Sequence, residues 1–181
     1  MTRKKWILAV VGVLLVPFLL WLTSDSLPPP ALLRAALRSY QRNQSAVANQ
    51  RYVTLIDYTK PVVVKRLWVV ERATGKVVLS SHVSHAFKSG LLYASKLSNV
   101  EGSQMSCVGS FVTQTTYQGR FGYSLHVKGL DTDNSNTLLR HIVFHPHPIP
   151  IWSQGCWMTA PATNRQLINL IKGGSFVYVA L

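Results

Sequence analysis

The stretch Arg140-His141-Ile142-Val143-Phe144-His145-Pro146-His147-Pro148-Ile149-Pro150-Ile151-Trp152-Ser153-Gln154-Gly155-Cys156 decides how this chain is read. Its first six residues have the apolar texture of a strand ending at His145. The prolines that follow forbid a helix, and Ser153-Gln154-Gly155-Cys156 reads as a turn of small residues. A thiol beside a glycine suits nucleophilic attack. Glycine lets backbone and substrate approach closely, and successive N–H groups can point at a developing oxyanion. An ordinary cysteine, with a pKa of about 8.5, is mostly protonated at neutral pH and needs a base. No Asp or Glu follows Asp133, so a base in this part of the chain must be a histidine, and His145 lies eleven positions upstream of Cys156. As base it would hold Cys156 as a thiolate–imidazolium pair, each charge favouring the other.

Spacing alone leaves other readings open. Cys156 could be a small buried side chain, or could be tied to Cys107 in a disulfide if the compartment is oxidising. His141, His145 and His147 alternate as zinc ligands on a strand would, but Pro146 and Pro148 restrict them and no carboxylate flanks them, so no metal is expected. His82 and His126 read as strand histidines without a special role.

Outward from this stretch, short β-like runs recur at Tyr52–Asp57, Arg66–Glu71, Lys76–Ser84, Ser110–Thr116, Tyr123–Lys128 and Arg140–His145. Turn signals separate them, among them Ala73-Thr74-Gly75, Gln118-Gly119 and Asp131-Thr132-Asp133-Asn134. Two helices are expected. Residues 31–48 carry an apolar stripe of Leu32, Leu33, Ala36, Leu37 and Tyr40. The second begins near Pro161, buries Leu167, Ile168 and Ile171, and stops at Gly173-Gly174. A last strand covers Ser175–Leu181. The exported part therefore reads as mainly β with two helices, a sandwich or barrel type.

The amino terminus is different. Arg3, Lys4 and Lys5 precede an uncharged run of seventeen residues from Trp6 to Leu22, near the short limit for a spanning helix. Without a clear small-x-small cleavage site after it, the run reads as a signal anchor rather than a removable signal. The basic tip stays in the cytoplasm and the remainder is exported. The expected organisation is a cytoplasmic tip at 1–5, an anchor at 6–23 in the inner membrane, a proline-rich spacer and helix at 24–50, and a catalytic domain at 51–181. The whole chain has 19 Lys and Arg against 6 Asp and Glu. Beyond Thr23 there remain 16 basic and 6 acidic residues, about +10 in net charge. Such a surface is either generally solvated or suited to a polyanion. Export and the absence of aromatic–basic interleaving argue against nucleic acid.

From about Ala31 to Leu181 the chain resembles the murein L,D-transpeptidase catalytic domain family of bacterial envelopes. The resembling pieces run in order: Asp57-Tyr58-Thr59-Lys60-Pro61, Lys65 to Val70, Ser84-His85-Ala86-Phe87-Lys88-Ser89-Gly90, and Leu97 to Ser103. Gly122-Tyr123-Ser124-Leu125, Gly129-Leu130, Asn134-Ser135-Asn136, Arg140 to His145 and Ser153 to Cys156 follow. The resemblance implies a β-sandwich-like fold and a cysteine acyltransferase without a cofactor. Its thiol attacks the diaminopimelate–D-alanine bond of a donor peptidoglycan stem peptide, D-alanine leaves, and the thioester passes to an amine. Cys156 then matches the nucleophile and His145 the base, while Ser153, Gln154 and Gly155 form the oxyanion turn. His85, His147, Arg140, Cys107 and Trp157 are expected near the cleft. Carbapenems would acylate the same thiol. Gln154, Trp157 and a short His145–Cys156 connection depart from the family pattern and bear on substrate preference more than on chemistry. Two alternatives accompany the reading: an L,D-carboxypeptidase passing the thioester to water, and a non-catalytic wall-binding domain with a Cys107–Cys156 disulfide.

Overall fold

The computed structural model describes residues 27–181. The expected membrane segment at 6–23 and the tip before it lie outside the described residues. Among the described residues no helix is long and apolar enough to cross a membrane.

Side-chain alternation sets the layers, because successive residues of a strand point to opposite faces. In β1 (Asn49–Asp57), Val53 and Leu55 enter one apolar cluster, Tyr52 and Ile56 the other. In β2 (Leu67–Glu71), Trp68 and Val70 join the first, Leu67 and Val69 the second. Both faces need a cover, and the two helices supply it. Helix α1 (Pro30–Arg42) lays Leu32, Ala36 and Tyr40 on the first cluster. Helix α2 (Pro161–Ile171) lays Leu167, Ile168 and Ile171 on the second. Each starts with a proline where a missing N–H costs nothing. The first helix is shorter than the expected 31–48. Asn43 turns its side-chain amide back to Ser39 O at 3.0 Å, and a 3-10 turn at Gln44–Ala46 follows.

The remaining strands are β3 (Val77–Ser81), β4 (His85–Ala86), β5 (Gly109–Gly119), β6 (Gly122–Gly129), β7 (Val143–Pro146), β8 (Trp152–Ser153), β9 (Trp157–Thr159) and β10 (Ser175–Ala180). Eight form one sheet in the order β3-β2-β1-β10-β5-β6-β7-β9, and β4 pairs with β8. The β1–β10, β7–β9 and β4–β8 pairs are parallel. The sheet curls so that its ends approach. Ser84, just beyond β3, donates its N–H to Met158 O at 3.1 Å, and its Oγ accepts the Met158 N–H at 2.8 Å. The mainly-β expectation holds, with closure coming from one curled sheet and a two-stranded ribbon. The expected strand at Arg140–His145 begins only at Val143, since His141 has φ of 52° and breaks the extended backbone.

One buried cation fixes this closure. Arg66 is fully buried. Its Nε and Nη2 both donate to Val83 O, at 3.1 and 2.9 Å, and Nη1 donates to Lys60 O at 2.9 Å. Nη2 also donates to Nδ1 of buried His85 at 2.8 Å, and that ring's Nε2–H donates to Gly90 O at 2.8 Å. Burial lowers the Arg66 pKa to about 10, still charged at neutral pH, and pushes the His85 imidazole down, so the ring is neutral. Arg66→Met strips two carbonyls and the His85 ring nitrogen of their donor and is expected to cost about 2–4 kcal/mol. Urea unfolding measures it, and an unchanged midpoint would contradict this account of the closure.

Candidate active site

Cys156 and His145 line the same cleft, of about 630 Å³. A second hollow of equal volume, lined by Val62, Val63, Lys65, His82, Ile149 and Ile151 among others, contains no cysteine. Volume does not separate the two; chemistry does.

The turn carrying Cys156 is held by short bonds. Gly155 has φ of 130°, and a Cβ there would stand 2.6 Å from Ile142 Cδ1, so both backbone and space call for glycine. The Gly155 N–H donates to Ser153 Oγ at 3.1 Å, and Ser153 Oγ donates to Cys156 O at 2.7 Å. Ser84 Oγ donates to the same carbonyl at 3.1 Å. The Gly155 N–H is therefore already spent, which corrects its expected place among the oxyanion donors. Gln154 is exposed at the cleft wall.

The thiol points back at the start of β7, donating to His141 O at 3.6 Å and accepting from the Val143 N–H. His145, at the end of β7, donates Nδ1–H to Pro146 O at 3.1 Å, because a carbonyl can only accept. That bond fixes the tautomer in which Nε2 keeps its lone pair. Its ring stacks on Phe121, centroids 4.5 Å apart, and the Arg120 guanidinium lies 4.4 Å from the Phe121 centroid. Burial pushes the Cys156 thiol up, partly offset by the Val143 N–H and the Arg140 charge. Burial pulls the His145 imidazole down, and the charges of His147 and Arg120 add to this. Both directions run against the expected thiolate–imidazolium pair.

The other candidates divide. Arg140 and His147 line the cleft. Arg140 donates to Ser98 O at 2.7 Å, to Ser103 Oγ at 3.3 Å and to Met105 O, tying the 97–106 loop to the cysteine turn. His85 is not at the cleft; it belongs to the Arg66 cluster. Trp157 is not there either. It is a core residue, donating to Tyr58 Oη at 2.9 Å and meeting Phe111 edge-on at 5.0 Å. Cys107 is buried and borders a separate hollow with Leu97, Asn99 and Asp133. Both thiols are free. Among the described residues no group of three or more His, Cys, Asp or Glu side chains converges as metal ligands.

Sequence reasoning missed Phe87, Arg120, Phe121, Trp152 and Met158 as cleft residues. The available signal for two of them was the glycine-flanked hairpin tip Gly119-Arg120-Phe121-Gly122, which overhangs the end of β7.

Comparison with solved structures gives low identity throughout. An L,D-transpeptidase from Stackebrandtia nassauensis is 16% identical, with a TM-score of 0.47 over 82% of this chain and 65% of that one. L,D-transpeptidase 3 from Mycobacterium tuberculosis, solved with a faropenem-derived adduct, is 11% identical at a TM-score of 0.49, over 72% and 60%. A variant of the helical cell shape determining protein Pgp2 from Campylobacter jejuni is 10% identical at 0.52, over 74% and 48%. This chain thus spans about half to two-thirds of the length of these proteins. Comparison with curated proteins gives no match. The family model for the L,D-transpeptidase catalytic domain matches residues 26–180, and the chain belongs to that family.

Proposed function

We propose that this protein is a peptidoglycan L,D-transpeptidase working in the bacterial envelope, with Cys156 as nucleophile and His145 as base. The observation that carries the reading is the placement of a thiol and a base-competent imidazole nitrogen in one cleft. Family membership supplies the reaction class.

In the resting state the S–H is directed at His141 O, so the side chain turns toward His145 before reaction. Nε2 takes the proton as sulfur attacks the carbonyl carbon of the diaminopimelate–D-alanine bond. The tetrahedral oxyanion forms beside the turn, where the Cys156 N–H is the backbone donor left once Gly155 is discounted. The imidazolium returns its proton to the departing D-alanine amine, leaving a thioester. An acceptor amine then attacks, His145 takes its proton, and collapse releases the cross-link and the thiol. Arg140 places an uncompensated positive charge beside the sulfur, favouring the negative charge that develops. Anchoring at 6–23 would keep the domain close to the inner membrane. Carbapenems present a strained amide to the same thiol. Free thiols on both cysteines favour this reading over a disulfide-tied wall-binding domain.

Incubating the protein with purified tetrapeptide muropeptides should release D-alanine and yield a cross-linked dimer by mass spectrometry. Cys156→Ser should abolish both products. D-Alanine without a dimer would make the enzyme an L,D-carboxypeptidase, and full activity in Cys156→Ser would end the cysteine mechanism.

The resting charge state has its own signature. Iodoacetamide modification of Cys156 should rise with pH through a midpoint above the ordinary cysteine value of about 8.5, because burial disfavours the thiolate. His145→Ala should shift that midpoint little, while acyl transfer from a stem falls at least about 100-fold. A plateau already reached at neutral pH, lost in His145→Ala, would restore the preformed ion pair.

A further inference from the structure

The cleft is lined by Arg120, Arg140, His141, His145 and His147, and by no carboxylate. The described acids are engaged elsewhere. Asp57 accepts from Thr59, Glu71 pairs with Arg51 and Thr74, and Asp131 accepts from the Ser110 N–H. Asp133 borders the hollow beside Cys107, and Glu101 is exposed on the loop after β4. An unbalanced cationic cleft favours an anionic occupant.

The two arginines differ in what they can offer. Arg140 commits both Nη2–H groups and one Nη1–H to Ser98 O, Ser103 Oγ and Met105 O, so its paired terminal fork is already engaged with the protein. Arg120 is exposed at the hairpin tip and, among the described residues, has no hydrogen bond or ion pair. What positions it is the Phe121 ring at 4.4 Å, and contact through a ring face uses none of its N–H donors. Phe121 in turn stacks on His145, so the guanidinium is indexed to the base through one aromatic ring. An unspent planar fork beside a reacting centre matches a carboxylate bidentately.

We infer that Arg120 is the receptor for a free carboxylate on the acyl donor, and that the cleft selects carboxylate-bearing donors over their amidated counterparts. The substrate part rests on the proposed function. The anion selectivity does not.

The test compares two alkylating agents of similar size, anionic iodoacetate and neutral iodoacetamide, on the reduced full chain at pH 8.5. Cys156 modification is resolved from Cys107 by peptide mapping. The iodoacetate-to-iodoacetamide rate ratio at Cys156 should exceed that of N-acetylcysteine at least about threefold. It should return toward the N-acetylcysteine value in Arg120→Gln and at about 0.5 M salt. Arg165→Gln, on the exposed face of α2, should keep the elevated ratio. A ratio equal to that of N-acetylcysteine, or one unmoved by Arg120→Gln, overturns the inference. If neither reagent reaches Cys156, the nucleophile assignment falls and takes the inference with it. In a second arm, stem donors with a free or an amidated carboxylate are compared. The free acid should show a KM lower by about threefold or more, and Arg120→Gln should erase the difference. Equal KM values alongside an elevated alkylation ratio would overturn the substrate assignment alone.

Discussion

A guanidinium buried without a hydrogen-bonded carboxylate must be satisfied by neutral acceptors, and Arg66 gathers them from three places in the chain. Lys60 O, Val83 O and His85 Nδ1 converge on it. Between the last two lies Ser84, whose N–H and Oγ bond Met158 and the Cys156 carbonyl. The position of the candidate nucleophile thus follows from the solvation of one buried charge ninety residues earlier in the chain. Replacing such a group by an apolar side chain need not be ruinous when every partner is replaced with it. Here two of the three partners are backbone carbonyls, which cannot be removed. Tyr58 completes the cluster, its hydroxyl accepting from Trp157 while burial raises its pKa to about 12.

The cleft around Cys156 is lined by arginine and histidine side chains and by no carboxylate. Burial disfavours the charged forms of both Cys156 and His145, and neighbouring positive charge adds to this at the histidine while opposing it at the cysteine. The Pro146 carbonyl has a modest but specific part, because it decides which nitrogen of the His145 ring keeps its lone pair. On the other side of the ring, Phe121 holds the imidazole plane and brings Arg120 with it.

Much of this was legible in the sequence because it depends on local pattern. Alternation in Tyr52–Asp57 and Arg66–Glu71, the apolar stripe after Pro161, and the glycine before Cys156 each express a short-range rule, and the structure places elements there. That His145 and Cys156 would share a cleft was suggested by elimination, since no acid follows Asp133, and both line it. What escaped depends on partners distant in sequence. His85 stands in a motif that suggested the cleft, yet Arg66, nineteen positions earlier, claims its Nδ1. Trp157 adjoins the cysteine, but strand alternation turns it to the opposite side, into Phe111 and Tyr58. Gly155 was read as a donor, and its N–H is taken by a hydroxyl two residues away. Arg120 and Phe121 looked like an ordinary hairpin tip until the β6–β7 pairing brought that tip over His145.

The central claim is that Cys156 forms the acyl-enzyme. Intact-protein mass spectrometry of the reduced full chain, mixed with a donor tetrapeptide stem and quenched in acid, reads it directly. The account predicts one adduct per chain, equal in mass to the stem less one D-alanine, located on Cys156 by peptide mapping. An adduct on another residue, or an unmodified Cys156 in folded, reduced protein that nevertheless releases D-alanine, would contradict it.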